Sequence, residues 1–438
     1  MYPYREFHRQ IFVLIIILFF ERGISREVDI HGFISQGYIQ SSANNYLSIQ
    51  CEEGSFEFNE AGINFSVQLT DELRGGIQVL SRDIGDQGNN KFMLDWAYSD
   101  YRIKDYLGVR AGKIKTPLAL YNEGRDVDAL RSCILLPQSV YDETIRDFTF
   151  AFQGGSIYGN VQLGPFGNAD YQAYMGTYNI PNPRSGFWRM AFDFLGQNVD
   201  ELAQLEVGTG TPVQSEFNNT SVNGDRLYGG AFIWETPILG LRLGGFFMNA
   251  KLDMKGDYKA SADQTMTLQD TEGQPVQLTS TRIMSRDIRI DVHVPKYYTV
   301  SAEYMWQNLL LAAEYNAREY HVDIHGLSPF MVKEILDMVL DFDGYYGMVS
   351  YRFFPWLEAG TYYSVFNDTE NGRETGEKKY KLYQKDTCGF LRFDITNNWL
   401  AKIEGHIFDG ATQVYQYENP DGRKENWALF AVRTSLYF

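Results

Sequence analysis

The chain has 438 residues, with 39 basic and 56 acidic side chains and a formal net charge of −17. Its mean hydropathy of −0.32 excludes a protein that crosses a membrane with several helices, since each helix would need an apolar run of about 20 residues. The acidic excess argues against sequence-independent nucleic-acid binding, which needs clustered Lys and Arg. Thirty Tyr, thirty Phe and forty Gly beside three Cys favour many short strands over a disordered or disulfide-stapled chain.

The first segment has the order of an export signal. Arg5, His8 and Arg9 precede the apolar run at residues 11–20, and charges return at residues 21–22. A run of this length is too short to span a bilayer but fits a signal-peptide core. We therefore predict a signal peptide at residues 1–25, with residues 26–438 outside the cytoplasm. The alternative is a buried strand or helix at the start of a cytosolic domain.

The three cysteines show none of the close spacings that metal sites use. They are Cys51, Cys133 and Cys388. One disulfide between two of them is possible, and sequence alone does not choose the pair. No metal site and no cofactor is predicted.

The C-terminal residues alternate between two faces. Counting back by twos from Phe438, one face carries Leu436, Thr434, Val432, Phe430 and Ala428. The other face carries Tyr437, Ser435, Arg433 and Ala431. A strand with lipid on one side and a polar lumen on the other needs this pattern, so Arg433 is predicted to face the lumen.

The preceding segments repeat the alternation. Residues 399–407 place apolar side chains opposite Lys402, Glu404 and His406, which we predict to face the lumen. The tight turn at residues 396–398 joins this strand to a partner at residues 389–395, because Asn tolerates left-handed backbone geometry. Because the strands of a β-sandwich also alternate, the prediction of strands between lipid and a lumen rests on the repetition of the pattern along the chain.

Short and long connections alternate along the chain. Short turns are predicted at residues 70–73, 164–168, 236–240 and 354–356, and long connections at residues 180–222, 253–286 and 366–386. This asymmetry is typical of outer-membrane barrels. We predict a transmembrane antiparallel β-barrel of about sixteen strands, with both ends on the periplasmic side. Trp356, Tyr362 and Tyr363 are predicted to lie in its interfacial aromatic girdles.

One connection has the features of a helix. Ser328 is a cap residue, Pro329 occupies the first helical position, and apolar residues follow at helical spacing through Leu340. We predict a short helix at residues 327–342 in an extracellular loop, packed over the barrel mouth.

Several stretches, which together touch most of the chain, resemble a known family. The stretch at residues 109–128, continued at residues 135–142, is similar to the segment after an early strand in bacterial porins of the phosphate-selective (O and P) type. Further matching features are residues 30–33, 386–394 and 399–406 and the terminal Phe438. The resemblance implies that residues 116–146 fold into the barrel as a constriction loop. It also implies a trimer and recognition of Phe438 by the barrel-assembly machinery.

The predicted constriction carries charges of both signs. Its assigned residues are Lys113, Lys115, Glu123, Arg125, Asp126, Asp128, Arg131, Arg146 and Asp147. Phosphate-selective members line their pores with basic residues, so the mixture leaves phosphate selectivity unsupported and suggests a transverse field. The competing interpretation is that about half of these charges pin the loop to the wall by salt bridges.

Two other functions compete with a pore. A barrel hydrolase would need a nucleophile and base near the wall or mouth, yet no such motif is present. His321 and His325 share a strand face, but they lack a third metal ligand at fixed spacing. A non-conducting adhesin or anchor would have a tightly filled lumen, whereas about sixteen strands enclose an aqueous channel.

The sequence thus predicts an outer-membrane porin for passive diffusion of small hydrophilic solutes or ions. Its expected partners are outer-membrane lipid, the solutes, the barrel-assembly machinery and two further copies of the chain, with no nucleic acid.

Overall fold

The computed structural model describes residues 27–178, 189, 213–269, 272, 274–326, 335–369 and 379–438. The predicted signal peptide lies outside the described residues. Sixteen antiparallel strands form one closed barrel, which confirms the predicted fold class and strand number. The strands are Val28–Ser41 (β1), Phe58–Gln68 (β2), Leu73–Ile84 (β3), Gln87–Lys104 (β4), Leu107–Lys115 (β5), Ala151–Gln162 (β6), Asn168–Tyr178 (β7), Val213–Glu235 (β8), Leu241–Gln269 (β9), Pro275–Trp306 (β10), Leu309–His325 (β11), Ile335–Phe354 (β12), Leu357–Asp368 (β13), Tyr383–Thr396 (β14), Trp399–Gly410 (β15) and Asn426–Tyr437 (β16).

Each strand pairs with its neighbour in sequence, and β1 closes the barrel by pairing with β16. In this closing pair Phe33 lies opposite Tyr437 and Ser41 opposite Leu429. The backbones of Gly32 and Phe438 add two reciprocal hydrogen bonds of 3.0 Å beyond the end of β16. Closure gives all sixteen strands a hydrogen-bonded partner on both sides, which a spanning sheet requires.

The predicted two-residue alternation sets the faces of the strands. On β15 the even-numbered side chains are buried inside the barrel, while Ile403 and Ile407 are exposed on the outside. On β16, Phe430 and Leu436 likewise point outward. The outer surface is therefore largely apolar along these strands, and the polar side chains are directed into the lumen.

The two barrel ends differ in their connections. At one end every connection is a short turn, as predicted: residues 69–72, 105–106, 163–167, 236–240, 307–308, 355–356 and 397–398. At the other end most connections are longer, including residues 42–57, 116–150 and 411–425, but residues 85–86 form a tight turn. The prediction of a long loop at residues 253–286 is wrong, because most of these residues belong to β9 and β10, which pair as a hairpin as far as Gln269 and Pro275.

The predicted helix at residues 327–342 is wrong over residues 335–342, which belong to β12. Residues 327–334 lie outside the described residues. Ile335 pairs with His325 and Leu340 with Tyr320 across β11, so ladder hydrogen bonding overrides the helical spacing of the apolar residues. Among the described residues, no helix is long and apolar enough to cross a membrane.

Exposed aromatic side chains surround the end with the short turns. Trp306, Phe354, Trp356 and Trp399 all lie beside such turns and are exposed on the outside. Tyr363 also points outward. Tyr362 does not: it is buried inside the barrel, where its hydroxyl donates to Asp386 at 3.1 Å. Its predicted place in a girdle is therefore wrong, because the alternation along β13 puts it on the inner face.

Candidate functional site

The connection between β5 and β6, residues 116–150, lies inside the barrel, and we call it the inward segment. It contains three 3₁₀ turns and a one-turn helix at Arg146–Thr149. Asn122 closes its base, since its side-chain amide donates to the carbonyls of Thr116 at 2.7 Å and Thr149 at 3.3 Å. The segment extends four residues beyond the predicted boundary at residue 146, because the first residue of β6 is Ala151.

The far wall of the barrel holds the middle of the inward segment. Lys402 on β15 donates to the carbonyl of Asp128 at 2.7 Å and to its carboxylate at 2.9 Å. Glu404, two residues along the same face, accepts the backbone N–H groups of Ile134 and Leu135. Charged side chains of the wall thus satisfy backbone groups that would otherwise be buried without partners.

The neighbouring strand adds a further anchor. Arg392 on β14 donates to the carbonyls of Ala129 at 2.8 Å and Arg131 at 3.0 Å. Its guanidinium is also fixed by Asp394, at 2.8 Å. On β16, the hydroxyl of Ser435 donates to Asp128 at 2.8 Å. Side chains of three adjacent strands, β14–β16, therefore bind residues 128–135 of the segment.

The near wall holds both flanks of the segment through charged pairs. Arg82 on β3 contacts Glu143 at 2.7 Å and Asp147 at 2.8 Å, and its side chain is completely buried. Gln78 on the same strand donates to Asp126 at 2.7 Å. Arg146 lies 3.5 Å from Asp95 on β4. The segment is thereby tied to β3 and β4 in addition to β14–β16.

Tyrosines tie the segment to a third region of the wall. Leu120 donates its N–H to Glu314 on β11 at 3.0 Å, and the Tyr141 hydroxyl donates to the same carboxylate. The Tyr121 hydroxyl donates to Glu303 on β10 at 2.5 Å. With these contacts the inward segment spans the barrel interior and reaches strands around most of its circumference.

The structure places the predicted constriction residues in this network, with two exceptions. Lys115 pairs with Asp126 at 3.0 Å, Arg125 with Glu143 at 2.6 Å, and Arg131 with Asp128 at 3.1 Å. Lys113 instead donates to the backbone carbonyl of Leu94 at 2.5 Å. Glu123 is exposed. Most of the assigned charges therefore hold the segment in place, and Glu123 is the one that the structure leaves exposed to solvent.

Two buried carboxylates of the segment are held in the charged state. Burial alone would raise the pKa of Asp128, but Lys402 and Arg131 hold that pKa well below its usual range. Burial would likewise raise the pKa of Glu143, and Arg125 and Arg82 outweigh it and lower the pKa. Opposite charges within contact distance favour ionised carboxylates, so these anchors stay ionised at neutral pH.

A water-accessible cavity of about 330 Å³ lies between the inward segment and β3–β9, toward the short turns. Its charged lining is Arg74, Arg102, Asp105, Arg110, Glu123 and Asp170. Sequence reasoning assigned only Glu123 among these residues. The others lie on the inner face near the short turns, where the alternation along β3–β7 could have identified them.

Asp100 organises the cationic side of this cavity. Its carboxylate contacts Arg74 at 2.9 Å and Arg110 at 3.3 Å, and it accepts a hydrogen bond from Tyr158. The Arg110 guanidinium lies 4.0 Å above the Tyr158 ring. Because one carboxylate meets two guanidiniums, this cluster carries a net positive charge facing the cavity.

The residues predicted to face the lumen lie on the inner face. Lys402, Glu404 and His406 are buried there on β15, and Arg433 on β16 pairs with Glu60 on β2. None of the four contacts the cavity. Their side chains support the inward segment and the wall.

His406 has the densest surroundings of the four. Its Nδ1 lies 3.1 Å from Asp386, its Nε2 lies 3.3 Å from Glu404, and the Cys388 sulfur lies 3.8 Å from Nε2. His321 and His325 lie elsewhere, beside Glu319 and Asp291 on the strands.

Comparisons with known proteins show the fold. No family model and no curated protein matches the chain. Similar solved structures include OmpF of Salmonella typhi in complex with daunomycin, at 12% identity and a TM-score of 0.54, covering 94% of this chain and 98% of that one. The outer membrane channel DcaP of Acinetobacter baumannii is 10% identical with a TM-score of 0.50, covering 96% and 99%. The anion-selective porin from Comamonas acidovorans is 11% identical with a TM-score of 0.50, covering 94% and 100%. The chain therefore has the closed-barrel fold of these outer-membrane proteins.

Proposed function

We propose that the protein is an outer-membrane porin for passive diffusion of small hydrophilic solutes or ions. The observation that carries the proposal is the inward segment, which crosses the lumen of a sixteen-strand barrel and is anchored to Arg82 on β3 and to Glu314 on β11, eight strands apart. Barrels of this size enclose an aqueous channel unless it is filled. A segment fixed across that channel sets the size of the solutes that pass.

The outer surface supports a membrane location. Apolar side chains such as Ile407 and Leu436 are exposed on the strands, and Trp306, Trp356 and Trp399 surround the end with the short turns. An apolar band bounded by aromatic residues is typical of outer-membrane barrels. By the same pattern, the short turns face the periplasm and the inward segment enters from the cell exterior.

The cavity chemistry favours a channel of mixed charge over one selective for phosphate. Arg74 and Arg110 are held by Asp100, while Glu123 and Asp170 also line the cavity. The resemblance to phosphate-selective porins therefore supports the architecture of the channel, and small ions of either charge are its proposed solutes. Export through the signal peptide, recognition of Phe438 during assembly and a homotrimeric state belong to the same proposal.

Deletion of residues 124–132 tests the role of the inward segment. This stretch carries the anchors Asp128 and Arg131. Its removal should raise single-channel conductance in planar bilayers. Deletion of an equal length at residues 370–378, between β13 and β14, is the control and should leave conductance unchanged. Equal conductance of the first deletion and the unmodified chain would overturn the proposed constriction.

A further inference from the structure

Two neighbouring strands bring a thiol, an imidazole and a carboxylate together behind the inward segment. Cys388 lies on β14, and Glu404 and His406 lie on β15. All three residues are buried, and their possible ligand atoms lie within 4.8 Å of one another. Thiolate, imidazole and carboxylate are the ligand types that Zn²⁺ accepts in proteins.

The distances match one face of a tetrahedral site. The Cys388 sulfur lies 3.8 Å from His406 Nε2, and that nitrogen lies 3.3 Å from a Glu404 oxygen. Zinc bonds of about 2.0–2.3 Å place tetrahedral neighbours about 3.3–3.6 Å apart. These two separations are therefore within a few tenths of an ångström of those around one ion, whereas the Cys388 sulfur and the Glu404 oxygen lie within 4.8 Å and would have to approach each other.

The surroundings of His406 also suit a metal ligand. Its Nδ1 lies 3.1 Å from Asp386, so this nitrogen donates to the carboxylate and leaves the lone pair on Nε2 directed at Cys388. Metal-bound histidines almost always donate their second N–H in this way. The imidazole also stacks on Phe408, with ring centroids 5.7 Å apart, which fixes its orientation.

The inward segment supplies a second thiol, that of Cys133, as a candidate fourth ligand. Cys133 is completely buried in the same cluster of side chains as Cys388. Its carbonyl accepts a hydrogen bond from Lys402 at 3.2 Å, and the next residue, Ile134, donates its N–H to Glu404. The backbone at Cys133 is therefore held against the same wall, and the side chain would have to turn to bring its sulfur to the other three residues, since that sulfur is not among the atoms that lie within 4.8 Å of one another.

We propose that Cys388, Glu404 and His406, with Cys133 as the fourth ligand, bind one Zn²⁺ ion that joins the inward segment to β14 and β15. On binding, the two thiols each release a proton, the ring releases the proton that Nε2 carries when it donates to Glu404, and the imidazole binds as the neutral base. The ion and its three anionic ligands carry a net charge of one negative unit, and Lys402 lies beside them. The site adds a metal centre that the cysteine spacing in the sequence did not predict.

The same residues allow two other interpretations. Cys388, His406 and Asp386 have the order of a thiol nucleophile, base and orienting carboxylate. The Cys388 side chain is completely buried, however, so a substrate cannot reach its sulfur. Without a metal, His406 would instead be an imidazolium ion between Asp386 and Glu404. The test must distinguish this metal-free state of His406 from zinc binding.

Cobalt substitution provides the test, because Co²⁺ bound by thiolate gives a near-ultraviolet charge-transfer band. The full chain, folded in detergent with reduced cysteines in the presence of Co²⁺, should hold one Co²⁺ with that band, and folding with an excess of Zn²⁺ over Co²⁺ should suppress the band. C388S should weaken binding at least tenfold and reduce the band, and C133S should reduce it as well. C51S, at a buried cysteine in a different cluster, is the matched control and should behave as the unmodified chain does.

Folding of each variant is checked by its heat-modifiable migration in gels. If C388S does not fold, D386N tests the same site, since loss of the partner of a metal-bound histidine weakens binding about 10–100-fold. Absence of the charge-transfer band in the unmodified chain would overturn the metal site. A charge-transfer band that is unchanged in both C388S and D386N would also overturn the metal site. A band unchanged by C133S would overturn the assignment of the fourth ligand.

Discussion

Lys402 on β15 lies 2.9 Å from the carboxylate of Asp128, although the two residues are separated by 274 positions in the sequence. Both side chains are buried, and Arg131 contacts the same carboxylate at 3.1 Å. A buried charge is tolerated only when it is paired and hydrogen-bonded. The pair therefore fixes the middle of the inward segment against the far wall of the barrel.

Replacing Lys402 with Met should loosen this attachment. Asp128 keeps Arg131 but loses a charge-assisted hydrogen bond, so we expect the free energy of unfolding to fall by about 1.5–3 kcal/mol. Urea unfolding measured by tryptophan fluorescence checks the value, and the open-channel current should become noisier. K385M is the control, because Lys385 and Asp409 form an exposed pair whose loss should cost about 0–1 kcal/mol. Equal effects of the two variants would contradict an anchoring role for Lys402.

The charge at the cavity should set ion selectivity. Changing Arg74 to Glu replaces a half-exposed guanidinium that lines the cavity with a carboxylate. We expect the reversal potential under a salt gradient to shift toward cation selectivity, since charged side chains along a pore sort ions. R289E alters an exposed arginine on β10 that is not part of the cavity lining. A shift of the same size in R289E would show that surface charge, and not the cavity, controls selectivity.

The connection at residues 411–425 should respond to pH through Glu418. The pKa of this carboxyl is raised to about 7, chiefly by burial; Tyr417 and Ser48 lower the pKa, the nearby Asp86 contributes to raising it, and Arg189 lowers it. An unfolded Glu titrates near about 4.3, so the packed connection is most stable below that pH. This stability is lost as pH rises toward and through about 7.

Hydrogen exchange measures the effect directly. Amides at residues 411–425 should be better protected at pH 5 than at pH 8, after correction for intrinsic exchange rates. E418Q should remove most of the difference, because an amide does not ionise. Equal protection of the unmodified connection at the two pH values would contradict this account of Glu418.

The terminal residue should matter for assembly more than for the finished barrel. Phe438 is exposed and exchanges two backbone hydrogen bonds with Gly32, which a change of side chain leaves in place. We expect F438A to reduce the amount of folded barrel in outer-membrane fractions several-fold while hardly changing its unfolding in urea. L436A, at an outward apolar side chain two residues earlier, is the control. Normal yields of F438A would argue against a role for Phe438 in recognition by the assembly machinery.

Much of the fold could be predicted because barrel strands leave a two-residue alternation in the sequence. The alternation at β15 and β16 put Lys402 and Arg433 on one face of their strands, where both side chains are buried inside the barrel, and the short turns marked one end of the barrel. The prediction of a helix through Leu340 was wrong because the spacing of its apolar residues reflects only a local preference, whereas β12 is stabilised by pairing with β11. The hairpin of β9 and β10 was missed because its polar composition resembles a loop.

The site could be predicted only in outline. The resemblance located the inward segment. It could not show which charged side chains face water and which form the ion pairs that hold the segment to the wall. That division depends on partners far away in the sequence, such as Arg82 for Glu143 and Lys402 for Asp128. The proximity of Cys133 and Cys388 could not be predicted for the same reason, since it arises only when the segment folds back against the wall.

Planar-bilayer recording of the purified protein under a salt gradient tests the central claim most directly. An open channel narrowed by the inward segment predicts discrete conductance steps, larger after deletion of residues 124–132, with a reversal potential that Arg74→Glu shifts. A correctly folded barrel that gives no steps would contradict the porin function and favour a structural anchor or an adhesin.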